Sequence, residues 1–121
     1  MNSKKIVIVD DDLAILDSLG TILDFEGYEV NTFVRGFEIF NFVETAEKPN
    51  LILLDMWLSG EDGRDICKKL KANELTKNIP VIIMSASRGL ENTALQSGAN
   101  AFIAKPFEID EVINKLHQLA S

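Results

Sequence analysis

Short aliphatic runs that alternate with helical patterns are the feature that most constrains the fold. Leu51–Leu54 and Ile6–Val9 contain no polar residue, which is typical of strands covered on both faces in a parallel sheet. Val81–Met84 and Ala101–Ala104 are predicted as further strands. Tyr28–Phe33 alternates only imperfectly between apolar and polar residues, so we expect this strand at an edge of the sheet.

Between these strands, apolar residues recur at three- and four-residue steps, which predicts helices. The predicted helices are a first one from Leu13 to a stop at Gly27, followed by Phe37–Val43, Arg64–Ala72, Leu90–Ser97 and Ile109–Leu119. Strands and helices in strict alternation specify an α/β fold, with a parallel sheet and helices on both faces. A length of 121 residues allows one domain with one core, and we expect it to span residues 1–121.

The composition is that of an ordinary globular protein, with 46% hydrophobic and 26% charged residues. The sequence shows neither an apolar run of about 18 residues nor a signal-peptide pattern, so we expect no membrane association and a cytoplasmic location. The formal net charge of −7 argues against nucleic-acid binding, which requires clustered Lys and Arg. The single cysteine, Cys67, is predicted to lie in the core, and the single histidine, His117, at the surface.

Carboxylates follow two of the predicted buried strands. Asp55 comes directly after the central aliphatic run, where open α/β sheets collect ligands, although an aspartate there can also cap a turn. Asp10, Asp11 and Asp12 follow the first strand. One of them is expected to cap the next helix, and the three together indicate a site for a divalent cation such as Mg²⁺ or Mn²⁺.

Two further strands end at residues with complementary chemistry, Ser85 and Lys105. Because parallel strands all end at the same edge of the sheet, we expect these side chains to lie near Asp55 and the acids of the first strand. A phosphoryl group attached to a carboxylate needs a cation and hydrogen-bond donors around its oxygens. The residues at this edge therefore indicate phosphoryl transfer, with Asp55 as the candidate nucleophile.

Four motifs occur in a compatible order and spacing: IVIVDDD, LILLDMWLSGEDG, VIIMSAS and AFIAKPF. Together they resemble the receiver domain of two-component response regulators, and the resemblance covers essentially the whole chain. It implies a flavodoxin-like fold, a doubly wound five-stranded parallel sheet with strand order 2-1-3-4-5 and helices on both faces. It also implies a signalling switch that catalyses its own phosphorylation and dephosphorylation, rather than a conventional enzyme.

The resemblance assigns the chemistry of the site residue by residue. Asp55 matches the aspartate that accepts a phosphoryl group from a phosphohistidine of a sensor histidine kinase or a histidine phosphotransfer protein. Asp10 and Asp11 match the acids that hold Mg²⁺, or Mn²⁺ in its place. Asp55 and the backbone carbonyl of Trp57 match the remaining metal ligands. Lys105 matches the lysine that pairs with the phosphoryl oxygens.

Other positions match the family's switch. Ser85 corresponds to the hydroxyl residue that turns toward the phosphoryl group, and Phe102 to the aromatic switch residue, although its pattern fits the core equally well. The peptide bond before Pro106 is expected to be cis. The side chains of Trp57 and Ser87 are expected to control access to the phosphoryl group. An unidentified effector domain or downstream protein would read the output.

The sequence departs from the family pattern at three places. Ser59 stands where many receivers have proline, so we expect a looser loop after Asp55. Trp57 is bulky for its position, and we hypothesise that it hinders attacking water; a solvent-edge aromatic without kinetic effect is the alternative. The segment from Ser85 to Lys105 is shorter than in many receivers, by about half a helical turn, which predicts a shortened or displaced fourth helix.

Other functions fit part of this pattern. A phosphatase of the haloacid-dehalogenase type needs a second aspartate two residues after the nucleophile, where this chain has Trp57. A domain that binds flavin mononucleotide is disfavoured, because its phosphate would meet carboxylates instead of amides. A pseudo-receiver that binds a partner without phosphorylation remains the alternative function. We expect the receiver to belong to a longer chain, because receivers are often fused to other domains, although a stand-alone relay protein also fits.

Overall fold

A computed structural model of the protein describes residues 4–45 and 48–120. Within these ranges the strands are β1 (Lys5–Val9), β2 (Glu29–Phe33), β3 (Leu51–Asp55), β4 (Trp57–Leu58), β5 (Glu61–Asp62), β6 (Val81–Ser85) and β7 (Ala101–Ala104). The helices are α1 (Leu13–Phe25), α2 (Glu38–Thr45), α3 (Gly63–Ala72), α4 (Glu91–Gln96) and α5 (Ile109–Leu119), and a 3-10 turn at Arg88–Leu90 precedes α4.

Five of these strands form one parallel sheet in the order β2-β1-β3-β6-β7, and β4 and β5 form a separate antiparallel hairpin. Counted without the hairpin, this is the order 2-1-3-4-5 of the flavodoxin-like fold, so the predicted fold is confirmed. The second strand lies at an edge of the sheet, as its imperfect alternation predicted. The hairpin is too short to be recognised in the sequence, since each of its strands has two residues.

Alternate residues of each strand face opposite sides of the sheet and build two apolar layers. β3 contributes Ile52 and Leu54 to the layer beneath α2, α3 and α4. It contributes Leu51 and Leu53 to the layer beneath α1 and α5. All four side chains are fully buried, which explains why the central run contains no polar residue.

The register of the sheet brings the ends of its strands to one level. Val9 pairs with Leu54 across β1 and β3, and Asp55 pairs with Met84 across β3 and β6. On the other side of β6, the last paired residue is Ser85, which lies opposite the last residue of β7. Residues at or just after these ends therefore share one edge of the sheet.

The ends of α1 are set by local chemistry. Asp12 accepts hydrogen bonds from Ala14 N at 3.0 Å and from Ile15 N at 3.4 Å, which satisfies backbone donors that a helix start leaves without partners. The chain leaves this helix at Gly27, whose φ of +97° lies in the left-handed region. One of the three consecutive acids is thus used as a cap, and Asp10 and Asp11 are left for the site.

Three smaller predictions can be compared directly. Cys67 is buried in the layer beneath α3, and His117 is exposed on α5, both as predicted. The fourth helix has six residues, which agrees with a short helix, whereas its length and position relative to other receivers stay a prediction. Across residues 4–45 and 48–120, no helix has the length and apolar character needed to cross a membrane.

Candidate functional site

The predicted site residues gather where β1, β3, β6 and β7 end. Asp10 follows β1, Asp55 ends β3, Ser85 ends β6, and Lys105 follows β7. Backbone hydrogen bonds join neighbouring ends, since Asp10 N donates to Phe33 O at 3.1 Å and Lys105 N donates to Ser85 O at 2.8 Å. Each side chain is therefore positioned by the paired end of a strand.

Three carboxylates form an acid cluster at this edge. Asp10, Asp11 and Asp55 each offer one oxygen, and these oxygens lie within 4.8 Å of one another. Asp10 is 1% exposed and Asp55 is 7% exposed, whereas Asp11 is open to solvent. Clustered carboxylate oxygens with one solvent-facing side suit a small, hard divalent cation that keeps part of its hydration shell. The donor set therefore fits the predicted Mg²⁺ or Mn²⁺.

Lys105 compensates the charge of two of these acids. Its Nζ lies 2.7 Å from Asp55 Oδ1 and 2.9 Å from Asp10 Oδ2. The other oxygen of Asp10 accepts a hydrogen bond from Asp12 N at 2.9 Å. Lys105 thus contacts two of the three carboxylates, so the acid cluster keeps an excess of negative charge that a bound cation would offset.

Burial raises the pKa of Asp55 above its ordinary value. The hydrogen bond from Lys105 opposes this change without cancelling it, and the charges of Asp10 and Asp11 reinforce it. The pKa of Lys105 is also raised: burial acts to lower it, but the contacts with Asp55 and Asp10 together outweigh burial. Lys105 is therefore protonated at neutral pH, and ionised Asp55 carries a free-energy cost.

Other predicted residues lie in β6, in β7 and in the segments that follow these strands. Ser85 is buried, and its Oγ accepts a hydrogen bond from Ser87 N at 3.0 Å. The side chain of Ser87 is exposed in the segment after β6. Phe102 is 8% exposed and packs in the apolar layer beneath α4, so it is a core residue in this conformation. The peptide bond between Lys105 and Pro106 is cis.

The segment after Asp55 folds into the β4–β5 hairpin. Gly60 lies in the turn of the hairpin with a φ of +75°, and a Cβ on Gly63 would lie 2.6 Å from the backbone oxygen of Asp55. Glycine is needed at both positions for these reasons. We expected Ser59 to loosen this segment, but its Oγ donates a hydrogen bond to Asp11 Oδ2 at 2.9 Å. A proline would lack that donor, so the serine adds a hydrogen bond between the hairpin and the acid cluster.

Sequence reasoning missed a second group of residues, which is centred on Arg64. Arg64 Nε and Nη2 donate to the two carboxylate oxygens of Asp62 at 3.0 and 2.7 Å, and these hydrogen bonds lower the pKa of Asp62. The guanidinium carbon lies 5.0 Å from the ring centroid of Trp57, and Nη1 donates to Thr93 Oγ1 at 3.1 Å. The sequence signal was weak, because an acid at a helix start usually indicates only a cap.

One family model matches most of the chain. Residues 6–117 match the response regulator receiver domain. The chain is 40% identical over 114 residues to sporulation initiation phosphotransferase F of Bacillus subtilis strain 168. The aligned region covers 93% of this chain and 90% of that protein.

Two further relatives are transcriptional regulators by name. The chain is 32% identical to the DNA-binding dual master transcriptional regulator RpaA of Synechocystis, covering 95% of this chain and 48% of that protein. It is 36% identical to the phosphate regulon transcriptional regulatory protein PhoB of Pseudomonas aeruginosa, covering 96% of this chain and 51% of that protein. The chain therefore spans about half the length of these two relatives.

Solved structures agree with this description. A putative response regulator from Chloroflexus aurantiacus J-10-fl superposes with a TM-score of 0.92 at 28% identity, with 98% of each chain covered. The receiver domain of the sensor histidine kinase PA1611 from Pseudomonas aeruginosa PAO1 superposes with a TM-score of 0.87 at 26% identity, again with 98% of each chain covered. That structure has a magnesium ion coordinated in its active site cleft.

Proposed function

The chain belongs to the response regulator receiver domain family, and on that basis we propose that Asp55 accepts a phosphoryl group from a phosphohistidine. The donor would be a sensor histidine kinase or a histidine phosphotransfer protein. The observation that carries this proposal is the position of Lys105, whose Nζ contacts Asp55 Oδ1 at 2.7 Å beside the acid cluster. An ammonium group fixed next to a carboxylate can pair with oxygens that arrive on that carboxylate.

In the proposed reaction, a carboxylate oxygen of Asp55 attacks the phosphorus atom. An O–P bond forms as the N–P bond of the phosphohistidine breaks, and the leaving imidazole nitrogen keeps the electron pair and takes up a proton. Phosphoryl transfer depends mainly on positioning and charge compensation. The paired strand ends supply the positioning, and Lys105 supplies part of the compensation.

The proposed cofactor is Mg²⁺, with Mn²⁺ as a substitute. Asp10, Asp11 and Asp55 would bind it together with the backbone carbonyl of Trp57. Bound there, the cation would offset the charge of the acids and of the phosphoryl oxygens. Support comes from the acid cluster and from the magnesium ion in the active site cleft of the PA1611 receiver.

Phosphorylation would shift the protein between two conformations. An acyl phosphate on Asp55 would offer acceptors to the hydroxyl of Ser85, which now accepts a hydrogen bond from Ser87 N. Ser85 pairs with Ala104 in β7, two residues after Phe102, so a movement of Ser85 reaches the strand that carries Phe102. An effector domain or downstream protein would read the changed surface. The protein is in this proposal a signalling switch rather than a conventional enzyme.

We place this switch in a cytoplasmic phosphorelay, with any DNA binding left to other parts of the pathway. One relative is named a phosphotransferase, and two are named transcriptional regulators. The chain corresponds to only about half of each transcriptional regulator. Its net charge of −7 disfavours direct contact with a nucleic-acid backbone.

Trp57 would set the lifetime of the phosphorylated state. It lies two residues after Asp55 and is 50% exposed. A large indole at this position would hinder the attack of water on the acyl phosphate, so Trp57→Asn should shorten the half-life of the phosphorylated protein. An unchanged rate of dephosphorylation would reject this role.

The test of the proposed function uses Trp57, the single tryptophan, as its reporter. Mg²⁺ should change its fluorescence, and acetyl phosphate or beryllofluoride should change it further only when Mg²⁺ is present. Intact-mass measurement after treatment with acetyl phosphate should show one added phosphoryl group. Asp55→Asn should abolish the second fluorescence change and the mass gain, whereas Asp17→Asn, at an exposed position on α1, should retain both.

The opposite result would be equally clear. If the wild-type protein shows no Mg²⁺-dependent fluorescence response to either reagent and no gain in mass, the proposal is wrong. That outcome would favour the pseudo-receiver, which binds a partner without phosphorylation.

A further inference from the structure

We infer that Arg64 is a positioning residue that fixes the indole of Trp57 and couples it to α4. The inference rests on the proposed function, because it concerns the lifetime of phosphorylated Asp55. It adds to that function a residue outside the acid cluster and a physical connection between the reacting segment and a helix on one face of the sheet.

The guanidinium group of Arg64 is held on three sides. Nε and Nη2 donate to both carboxylate oxygens of Asp62, Nη1 donates to Thr93 Oγ1, and the ring of Trp57 lies 5.0 Å from the guanidinium carbon. The planar fork of arginine matches two carboxylate oxygens at once. Its flat face can at the same time stack on an aromatic ring. One side chain therefore joins the hairpin, α3 and α4.

The anchor of this arrangement is itself fixed. Asp62 caps α3 by accepting a hydrogen bond from Arg64 N at 2.9 Å, and it pairs with Trp57 across the hairpin. Gly63 follows with no space for a Cβ next to the backbone of Asp55. The hairpin thus fixes the backbone position of Trp57. Its side chain is half-exposed, so the indole could change rotamer if no neighbouring side chain held it. The contact with Arg64 selects one orientation.

Thr93 extends this connection to α4. Its Oγ1 accepts the hydrogen bond from Arg64 and donates one to Leu90 O at 3.0 Å. The helix has only six residues, so its own hydrogen bonds contribute little stability and its order depends on tertiary contacts. The position of the Trp57 indole and the order of α4 should therefore change together when Arg64 is altered.

The test compares Arg64→Met with Lys68→Met. The first change keeps an unbranched stem but removes the fork and the charge; the second removes an exposed lysine one turn later on α3. In protein without metal or phosphoryl donor, Arg64→Met should increase the quenching of Trp57 fluorescence by acrylamide. It should also increase amide hydrogen exchange in residues 91–96. Lys68→Met should change neither quantity.

The kinetic arm uses protein phosphorylated with acetyl phosphate. Arg64→Met should shorten the half-life of the phosphorylated state by about 2- to 5-fold, the factor expected when one exposed cation–π contact is lost. Arg64→Lys keeps the charge without the fork and should give a smaller change in the same direction. In a Trp57→Leu background, Arg64→Met should leave the half-life unchanged.

Each contrary result has a distinct meaning. Unchanged quenching in Arg64→Met would overturn the inference, and so would an equal loss of half-life in the Trp57→Leu background. A role of Arg64 in stability alone would lower the urea midpoint while leaving quenching and half-life as in the wild type. The quenching and hydrogen-exchange measurements need no phosphorylation. Failure of the proposed function would appear as no gain in mass in the wild type, whereas failure of this inference would appear as unchanged quenching in Arg64→Met. If Arg64→Met does not fold, Arg64→Lys and Thr93→Val provide the same readouts.

Discussion

Lys105 Nζ lies 2.7 Å from Asp55 Oδ1 at the carboxyl end of the parallel sheet. The same nitrogen contacts Asp10 Oδ2 at 2.9 Å, so one ammonium group serves two buried carboxylates. With Asp11 close by, negative charge still exceeds positive charge in the acid cluster. This imbalance fits a site that could hold a further cation, and it makes ionised Asp55 a source of instability.

Asp55→Asn should stabilise the metal-free protein, by about 1 kcal/mol. Burial raises the pKa of Asp55, so its ionised form is less favourable in the folded state than in the unfolded state, and the amide removes this cost. Lys105 keeps Asp10 as its partner in the variant. Urea unfolding at neutral pH in the presence of a chelator measures the difference in free energy of unfolding.

The gain from Asp55→Asn should shrink in acid. Because the pKa of Asp55 is raised in the folded state, ionised Asp55 lowers the free energy of unfolding fully at pH values above that pKa. This loss disappears as the pH falls below the unfolded pKa of about 3.9, where the carboxyl group is protonated in both states. Asp17→Asn is the control at an exposed position on α1, away from the acid cluster, and its effect should stay within about 0.5 kcal/mol. Loss of stability in Asp55→Asn at neutral pH would contradict this account.

Ser59→Ala should weaken Mg²⁺ binding by up to about 10-fold. Ser59 Oγ donates to Asp11 Oδ2 at 2.9 Å and orients a carboxylate that is otherwise exposed to solvent. Without that hydrogen bond, binding would have to restrict the rotation of Asp11. Titration of Trp57 fluorescence with Mg²⁺ measures the affinity. Ser59→Thr keeps a hydroxyl and serves as the matched control, and equal affinities for the alanine and threonine variants would show that the hydrogen bond has no role.

The sequence was sufficient to place Asp55 and Lys105, because short aliphatic strands that stop at polar residues must bring those residues to one edge of the sheet. It was insufficient for contacts between side chains from different segments. The partners Ser59 and Asp11 are 48 residues apart, and the contact of Arg64 with α4 depends on how two helices pack on the sheet. Local sequence patterns do not show which residues of distant segments come into contact, so both contacts became visible only in the structure.

Asp62→Asn should destabilise the protein at neutral pH and have a smaller effect in acid. The hydrogen bonds from Arg64 hold the pKa of Asp62 below its ordinary value. The resulting stabilisation is complete above the unfolded pKa of about 3.9 and is lost as the pH falls through the lower folded-state pKa. Asparagine keeps one oxygen that can cap α3, so the variant removes the charge and the second acceptor for Arg64 while it keeps the cap. Urea unfolding across this range measures the difference, and a difference independent of pH would exclude the ion pair as its source.

Asn100→Ala should lower the free energy of unfolding by about 1–3 kcal/mol. Asn100 Oδ1 accepts hydrogen bonds from Val81 N at 3.0 Å and from Lys71 Nζ at 2.9 Å, at the end of the sheet opposite the acid cluster. Val81 is fully buried in the wild-type protein, and its N–H would lose this acceptor in the variant. Lys71 would keep a second acceptor, Ile79 O at 2.8 Å.

The losses in free energy of unfolding of three variants separate the two hydrogen bonds that Asn100 accepts, from Val81 N and from Lys71 Nζ. Lys71→Met should cost less than Asn100→Ala, about 1 kcal/mol, because it removes one donor and leaves Asn100 bonded to the Val81 N–H. Lys69→Met, at an exposed position of the same helix, should stay within about 0.5 kcal/mol of the wild type. Urea unfolding of all three at neutral pH gives the ranking. A larger loss for Lys71→Met than for Asn100→Ala would mean that the ammonium group, and not the buried N–H, supplies most of the stability at this end of the sheet.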